Sequence, residues 1–150
     1  MLQIVAKTNP LAIIYLGTND GLTDTLDTDV VGNDPVNWAD NNIGCYCRFV
    51  QKFQSLGYKV LLLKCWTTSG TGTASLENTN SAIKHIGERF GCSVMDVPVS
   101  ANLKYHYYPD LSGYNGVHYN DLGYSWFASQ LIQKIGQLPI EQMKWIIPNA

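Results

Sequence analysis

Two short stretches of this chain hold residue types suited to proton transfer and anion stabilisation. Gly17-Thr18-Asn19-Asp20 follows the apolar run Leu11–Leu16, and Asn115-Gly116-Val117-His118-Tyr119-Asn120 lies far downstream. A side-chain amide at the end of a strand is a fixed N–H donor of the kind that can hold an oxyanion. A histidine is the common general base for activating a hydroxyl. Each also has a plainer reading: Asn19-Asp20 as an Asx-type turn, and His118 as a loop histidine bonded to backbone. Six of the nine tyrosines (Tyr105, Tyr107, Tyr108, Tyr114, Tyr119 and Tyr124) gather around His118. Such amphipathic rings stack on sugars or cover interfaces, and both roles stay open here. The other candidates are weaker. Cys45, Cys47, Cys65 and Cys92 form no C-x-x-C, and their spacing with His85 matches no zinc pattern, so buried reduced thiols are expected. Asp20, Asp24, Asp27 and Asp29 lack the glycine and terminal glutamate of a calcium loop, which leaves a solvated acidic loop. No metal and no cofactor are expected.

The elements that must position these residues can be read from composition and period. At 150 residues, 45% apolar and only 15% charged, the chain has the makings of one domain with a real core. A net charge of −2 with no basic run disfavours nucleic acid as a partner. The apolar runs are strand-length, too short for a membrane helix, and the first ten residues lack a signal-peptide pattern, so membrane insertion and classical secretion are disfavoured and synthesis in the cytoplasm is expected. Leu2–Lys7 looks like the end of a helix stopped at Asn9-Pro10. Leu11–Leu16 is apolar throughout, the pattern of a strand covered on both faces in a parallel sheet. A polar loop, 17–34, follows. Pro35–Leu56 carries Trp38, Cys45, Phe49, Phe53 and Leu56 near helical period and stops at Gly57. Lys59–Trp66 is a second strand; Leu76, Ile83, Ile86 and Phe90 mark a helix closed by Gly91; Ser93–Val97 is a third strand. After an aromatic loop, Asn120 caps a last helix with Tyr124, Phe127, Leu131, Ile135 and Leu138 on its apolar face. The order β-α-β-α-β-loop-α predicts an α/β fold with a parallel sheet, right-handed crossovers and chemistry at the carboxyl ends of the strands.

On this frame the two stretches together resemble the third and fifth blocks of the SGNH (GDSL-type) hydrolases. Gly17-x-Asn19-Asp20 matches the Gly-x-Asn-Asp block, and Asn115-x-x-His118 occupies the place of Asp-x-x-His before the C-terminal helix. The resemblance runs from about Asn9 to Leu138. It implies a flavodoxin-like three-layer α/β sandwich and hydrolysis of O-acyl or O-acetyl esters, in many relatives on carbohydrate. It also implies Asn19 as an oxyanion-hole donor, His118 as the general base, and Gly17, Thr18, Asp20, Tyr114 and Tyr119 around the substrate. Three features depart from the family pattern. The sixteen residues before Gly17 contain no serine, so the Gly-Asp-Ser nucleophile block is absent, as is the second-block glycine. The later serines, among them Ser69, Ser75, Ser100 and Ser112, stand in neither a Gly-Asp-Ser nor a Gly-x-Ser-x-Gly setting. Asn115 replaces the triad acid, and amide replacements of that kind in serine proteases cost about four orders of magnitude in turnover. Asn115-Gly116 is, however, a dipeptide prone to deamidation, which would restore a carboxylate.

The resemblance therefore implies an incomplete SGNH-like domain over 1–138, lacking the family's first two strands, with an apolar C-terminal tail over 139–150 that carries Met143, Trp145, Ile146 and Ile147. In the family's strand order Leu11–Leu16 is internal. As an edge it needs another polypeptide or a second copy over it. The tail either packs on its own domain or docks a partner. Two functions follow. One is an esterase portion, inactive as this chain alone, whose serine comes from elsewhere. The other is a non-catalytic structural or glycan-binding module of a larger assembly, such as a virion or a cell-surface complex.

Overall fold

A computed structural model of the chain describes residues 10–19, 21–65, 73–96 and 120–138. These form a mixed α/β unit with a three-stranded parallel sheet in the order β1-β2-β3 and four α-helices. The strands are β1 (Leu11–Ile14), β2 (Lys59–Leu63) and β3 (Ser93–Met95). The helices are α1 (Leu26–Asp29), α2 (Asn42–Ser55), α3 (Thr73–Phe90) and α4 (Asp121–Gly136), with a 3₁₀ turn at Pro35–Asn37. Register pairs Ala12 with Val60 and Ile14 with Leu62, and Leu62 in turn with Val94. The central strand β2 buries Val60, Leu61, Leu62 and Leu63, as a strand covered on both faces must. On one face Ala12, Ile14, Val60 and Leu62 meet Leu26, Ile43, Val50, Ile83 and Ile86 from α1, α2 and α3. On the other, Leu61, Leu63 and Met95 meet Phe127, Leu131 and Ile135 of α4.

Several expectations are corrected by this arrangement. The helix expected from Pro35 begins at Asn42, with the Asn41 side chain accepting the Gly44 N–H at 3.0 Å. That later start changes the phase. α2 turns Ile43, Tyr46, Cys47 and Val50 into the core and leaves Cys45, Phe49 and Leu56 exposed. Trp38 is buried ahead of the helix, and Arg48 holds that approach by donating to the carbonyls of Pro35 (3.0 Å) and Trp38. The 17–34 segment is not a solvated loop. It places Leu22, Leu26 and Val30 in the core, so its aspartates acquire defined partners. Asp24 meets the His85 Nδ1 at 3.1 Å, and Asp29 accepts from Thr25 and from Asn41. Of the four cysteines, Cys47 and Cys65 are buried, Cys92 is half-buried and Cys45 is exposed.

β1 is shorter than the apolar run and lies at the sheet's edge; among the described residues it pairs only with β2. Ile13 is 41% exposed and Leu16 48%. The expected helix end at Leu2–Lys7 and the 139–150 tail lie outside the described residues, as do Asp20, Tyr114, Asn115, His118 and Tyr119.

Candidate active site at the carboxyl ends of the strands

β1 leads into a tight turn. Gly17 has φ +112°, its carbonyl accepts the Gly21 N–H at 3.2 Å, and Thr18 and Asn19 stand exposed at the tip. The left-handed conformation at Gly17 is one that side chains rarely tolerate. Space is short as well, because a Cβ there would lie 2.8 Å from the Thr79 methyl. Thr79, on α3, is fully buried, and its hydroxyl accepts the Leu22 N–H at 2.8 Å just beyond the turn. Asn42 of α2 donates to the Gly21 carbonyl at 3.3 Å. The Asn19 turn is thus held from below by α3 and from the side by α2.

The end of β2 is fixed by the same stretch of α3. The Asn80 side chain accepts the Cys65 N–H at 2.6 Å and donates to the Cys65 carbonyl at 2.7 Å, imitating the pairing of a neighbouring strand. The Cys65 thiol donates to the Leu16 carbonyl at 3.4 Å, which ties β2 to β1 where the turn begins. Burial raises the pKa of this thiol, and the Thr18 hydroxyl bonded to it only partly opposes the rise. A thiol held neutral is a poor nucleophile, and the bonds of Cys65 to Leu16 and Asn80 join the end of β2 to that of β1 and to α3.

A groove of about 290 Å³ adjoins Gly17 and is lined by Leu16, Leu22, Tyr46 and Phe49, with Asn42 and Cys45. Tyr46 is buried, and its hydroxyl has no hydrogen-bond partner among the described residues. Burial, reinforced by the surrounding Cys65, Cys92 and Cys47, pushes that phenol further up and keeps it neutral.

α4 approaches the same end of the sheet. Asn120 caps it by accepting the Gly123 N–H at 2.9 Å, and Phe127 stacks on Tyr15, just beyond β1, with ring centroids 5.4 Å apart. At 1.5 Å of rise per residue, Asn120 lies roughly 10 Å along the helix from that stack.

Of the residues singled out from sequence, Gly17, Thr18 and Asn19 come together in one turn. Asp20, Tyr114, Asn115, His118 and Tyr119 lie outside the described residues. Thr79, Asn80 and Cys65 were not legible as parts of the site. The available signal was the polar run Glu77-Asn78-Thr79-Asn80-Ser81 between Leu76 and Ile83 in a helix that must bury one face. His85, considered for zinc, faces two carboxylates instead, Asp24 through Nδ1 at 3.1 Å and Asp27 through Nε2 at 3.7 Å. Among the described residues no group of three His, Cys, Asp or Glu side chains has metal-site geometry, and no helix is long and apolar enough to cross a membrane. Comparison with protein-family models, curated proteins and solved structures returned no match.

Proposed function

We propose that the chain is the oxyanion and base portion of an SGNH-type ester hydrolase, a flavodoxin-like three-layer sandwich acting on O-acyl or O-acetyl groups, including those on carbohydrate. The observation that carries this reading is the exposed Asn19 amide on a turn locked by Gly17 and Thr79 at the carboxyl end of β1, with the start of α4 brought to the same end. A preorganised donor costs no reorganisation when negative charge develops on the carbonyl oxygen. In the proposed reaction a serine hydroxyl attacks the ester carbonyl while His118 takes its proton, and the Asn19 amide donates to the oxyanion. His118 then returns the proton to the leaving alcohol, and water releases the acyl group by the reverse sequence. The apolar groove beside Gly17 suits the acyl group. The serine belongs to another polypeptide or segment whose chain also covers the β1 edge, so this chain by itself does not turn over esters.

The second reading is a structural or glycan-binding module that keeps the frame without catalysis. It is favoured by Asn115 in the acid position and by the lack of a Gly-Asp-Ser block. Fluorophosphonate labelling of the native assembly, with mass spectrometry of every labelled peptide, separates the two. Label on a co-purifying chain, abolished by His118→Ala, is the expected result. Label on a serine of this chain would overturn the split arrangement. No label on an intact assembly would leave the non-catalytic module.

A further inference from the structure

A second pocket lies away from the Asn19 turn, at the end of α3 that leads into β3 and so toward the amino ends of the strands. It encloses about 310 Å³, the lower end of the range for small-molecule sites (roughly 300–1,000 Å³). Its polar lining comes from three places in the chain, and each head is already anchored by one hydrogen bond to a backbone carbonyl. Gln51 donates to Asn33 at 3.2 Å, Gln54 donates to Phe90 at 2.7 Å, and Arg89 donates through Nη2 to Gly32 at 3.1 Å. The same Gly32 carbonyl takes the Trp38 indole N–H at 3.4 Å. Trp38 and Phe90 pack edge to face, with centroids 5.7 Å apart, and form the apolar part of the wall.

Those anchors determine what chemistry is left for a ligand. Gln54 has both amide N–H groups engaged, on the Phe90 carbonyl and on the Cys92 sulfur at 3.5 Å, and Gln51 has one engaged on Asn33. The pair therefore offers two acceptor oxygens and one Gln51 N–H, a set that hydroxyl groups, which both donate and accept, can meet. In Arg89, Nη2 carries two hydrogens and belongs to both paired edges of the guanidinium, Nε/Nη2 and Nη1/Nη2. The single bond to Gly32 occupies one edge and leaves the other to pair with a carboxylate. Among the described residues no acidic side chain lines the pocket to repel an anion. Anchoring also lowers the entropy lost on binding, because the polar heads are already ordered. We propose that this pocket binds a polyhydroxylated carboxylate the size of a single sugar acid, with its hydroxyls on Gln51 and Gln54 and its carboxylate on Arg89. This site is independent of the ester-hydrolase reading.

The test is a titration of the ¹⁵N-labelled full chain with sodium D-glucuronate, with D-glucose and propionate as probes lacking the carboxylate and the hydroxyls. The expected result is saturable shifts confined to the Arg89 Nε–H, the Gln51 and Gln54 amides and the Trp38 indole. Both control compounds should bind at least ~10-fold more weakly. Arg89→Gln, at an exposed helix position, and Gln51→Ala, on a different helix, should each weaken glucuronate by a similar factor with the rest of the spectrum unchanged. Absence of saturable shifts, equal binding of glucose or propionate, or indifference to both substitutions would overturn the proposal.

Discussion

A side chain at position 17 meets two obstacles at once. Its backbone sits at φ +112°, and its Cβ would fall 2.8 Å from the Thr79 methyl. The far atom belongs to a β-branched residue fixed by its own hydrogen bond, so it cannot swing away cheaply. Gly17→Ala should therefore cost about 1–3 kcal/mol, the scale of a strained backbone position, read as a drop in urea midpoint at unchanged slope. Thr79 is tested by removing only its acceptor. Thr79→Val keeps the shape but strands the buried Leu22 N–H, at a cost of about 1–3 kcal/mol. Thr79→Ser keeps the acceptor and should lose less. If the valine variant is as stable as wild type, the Leu22 bond does not hold the turn.

α3 organises more of this molecule than its period reveals. Along its length Thr79 holds Leu22, Asn80 holds Cys65, His85 meets Asp24, and Arg89 reaches the Gly32 carbonyl, so the segment from the Asn19 turn to residue 32 is stitched to a single helix. The sequence made the apolar half of that plain. Ile83 and Ile86 are buried as their spacing predicts, and β2 and the Asn120 cap stand where continuous apolar residues and an Asn before a periodic run put them. Period alone does not choose the buried face of α2, because Cys45, Phe49 and Leu56 share a helical period just as Ile43, Tyr46 and Val50 do. Only the true start at Asn42 selects between the two stripes. The polar clamps escaped notice for a different reason: a threonine or asparagine inside a helix gives no local hint that its partner lies across the fold. Of the site, the turn at Gly17–Asn19 was legible from its motif and its supports were not. Asn80→Ala should remove protection from hydrogen exchange at the Cys65 amide while Leu62, paired inside the sheet, stays protected. Equal loss at both amides would mean that Asn80 supports the whole sheet rather than the end of β2.

Among the described residues the core is apolar apart from Thr79, and three of the four cysteines lie in it or pack against it. Cys47, Cys65 and Cys92 gather near the Tyr46 phenol, and all of these groups are neutral by burial. Burial pushes Cys47 up to about 12 and Cys92 up to about 11, whereas a thiol in the unfolded chain ionises at roughly 8.5. The unfolded state therefore releases its protons first. The stability these groups contribute is fully present below about pH 8.5 and is lost as pH rises toward the folded-state values. At the acid end the sign reverses. The Thr25 hydroxyl and then the Asn41 amide, both donating to Asp29, hold its carboxyl below the ordinary range, so that contribution is present above about pH 4 and is lost as pH falls further. Urea midpoints measured under reductant from pH 7 to 10 should fall for the wild type and fall less steeply for Cys47→Ala. The comparison is between slopes, because the alanine also leaves a cavity that lowers the midpoint at every pH. Parallel curves for the two proteins would show that the alkaline loss arises outside the thiol cluster.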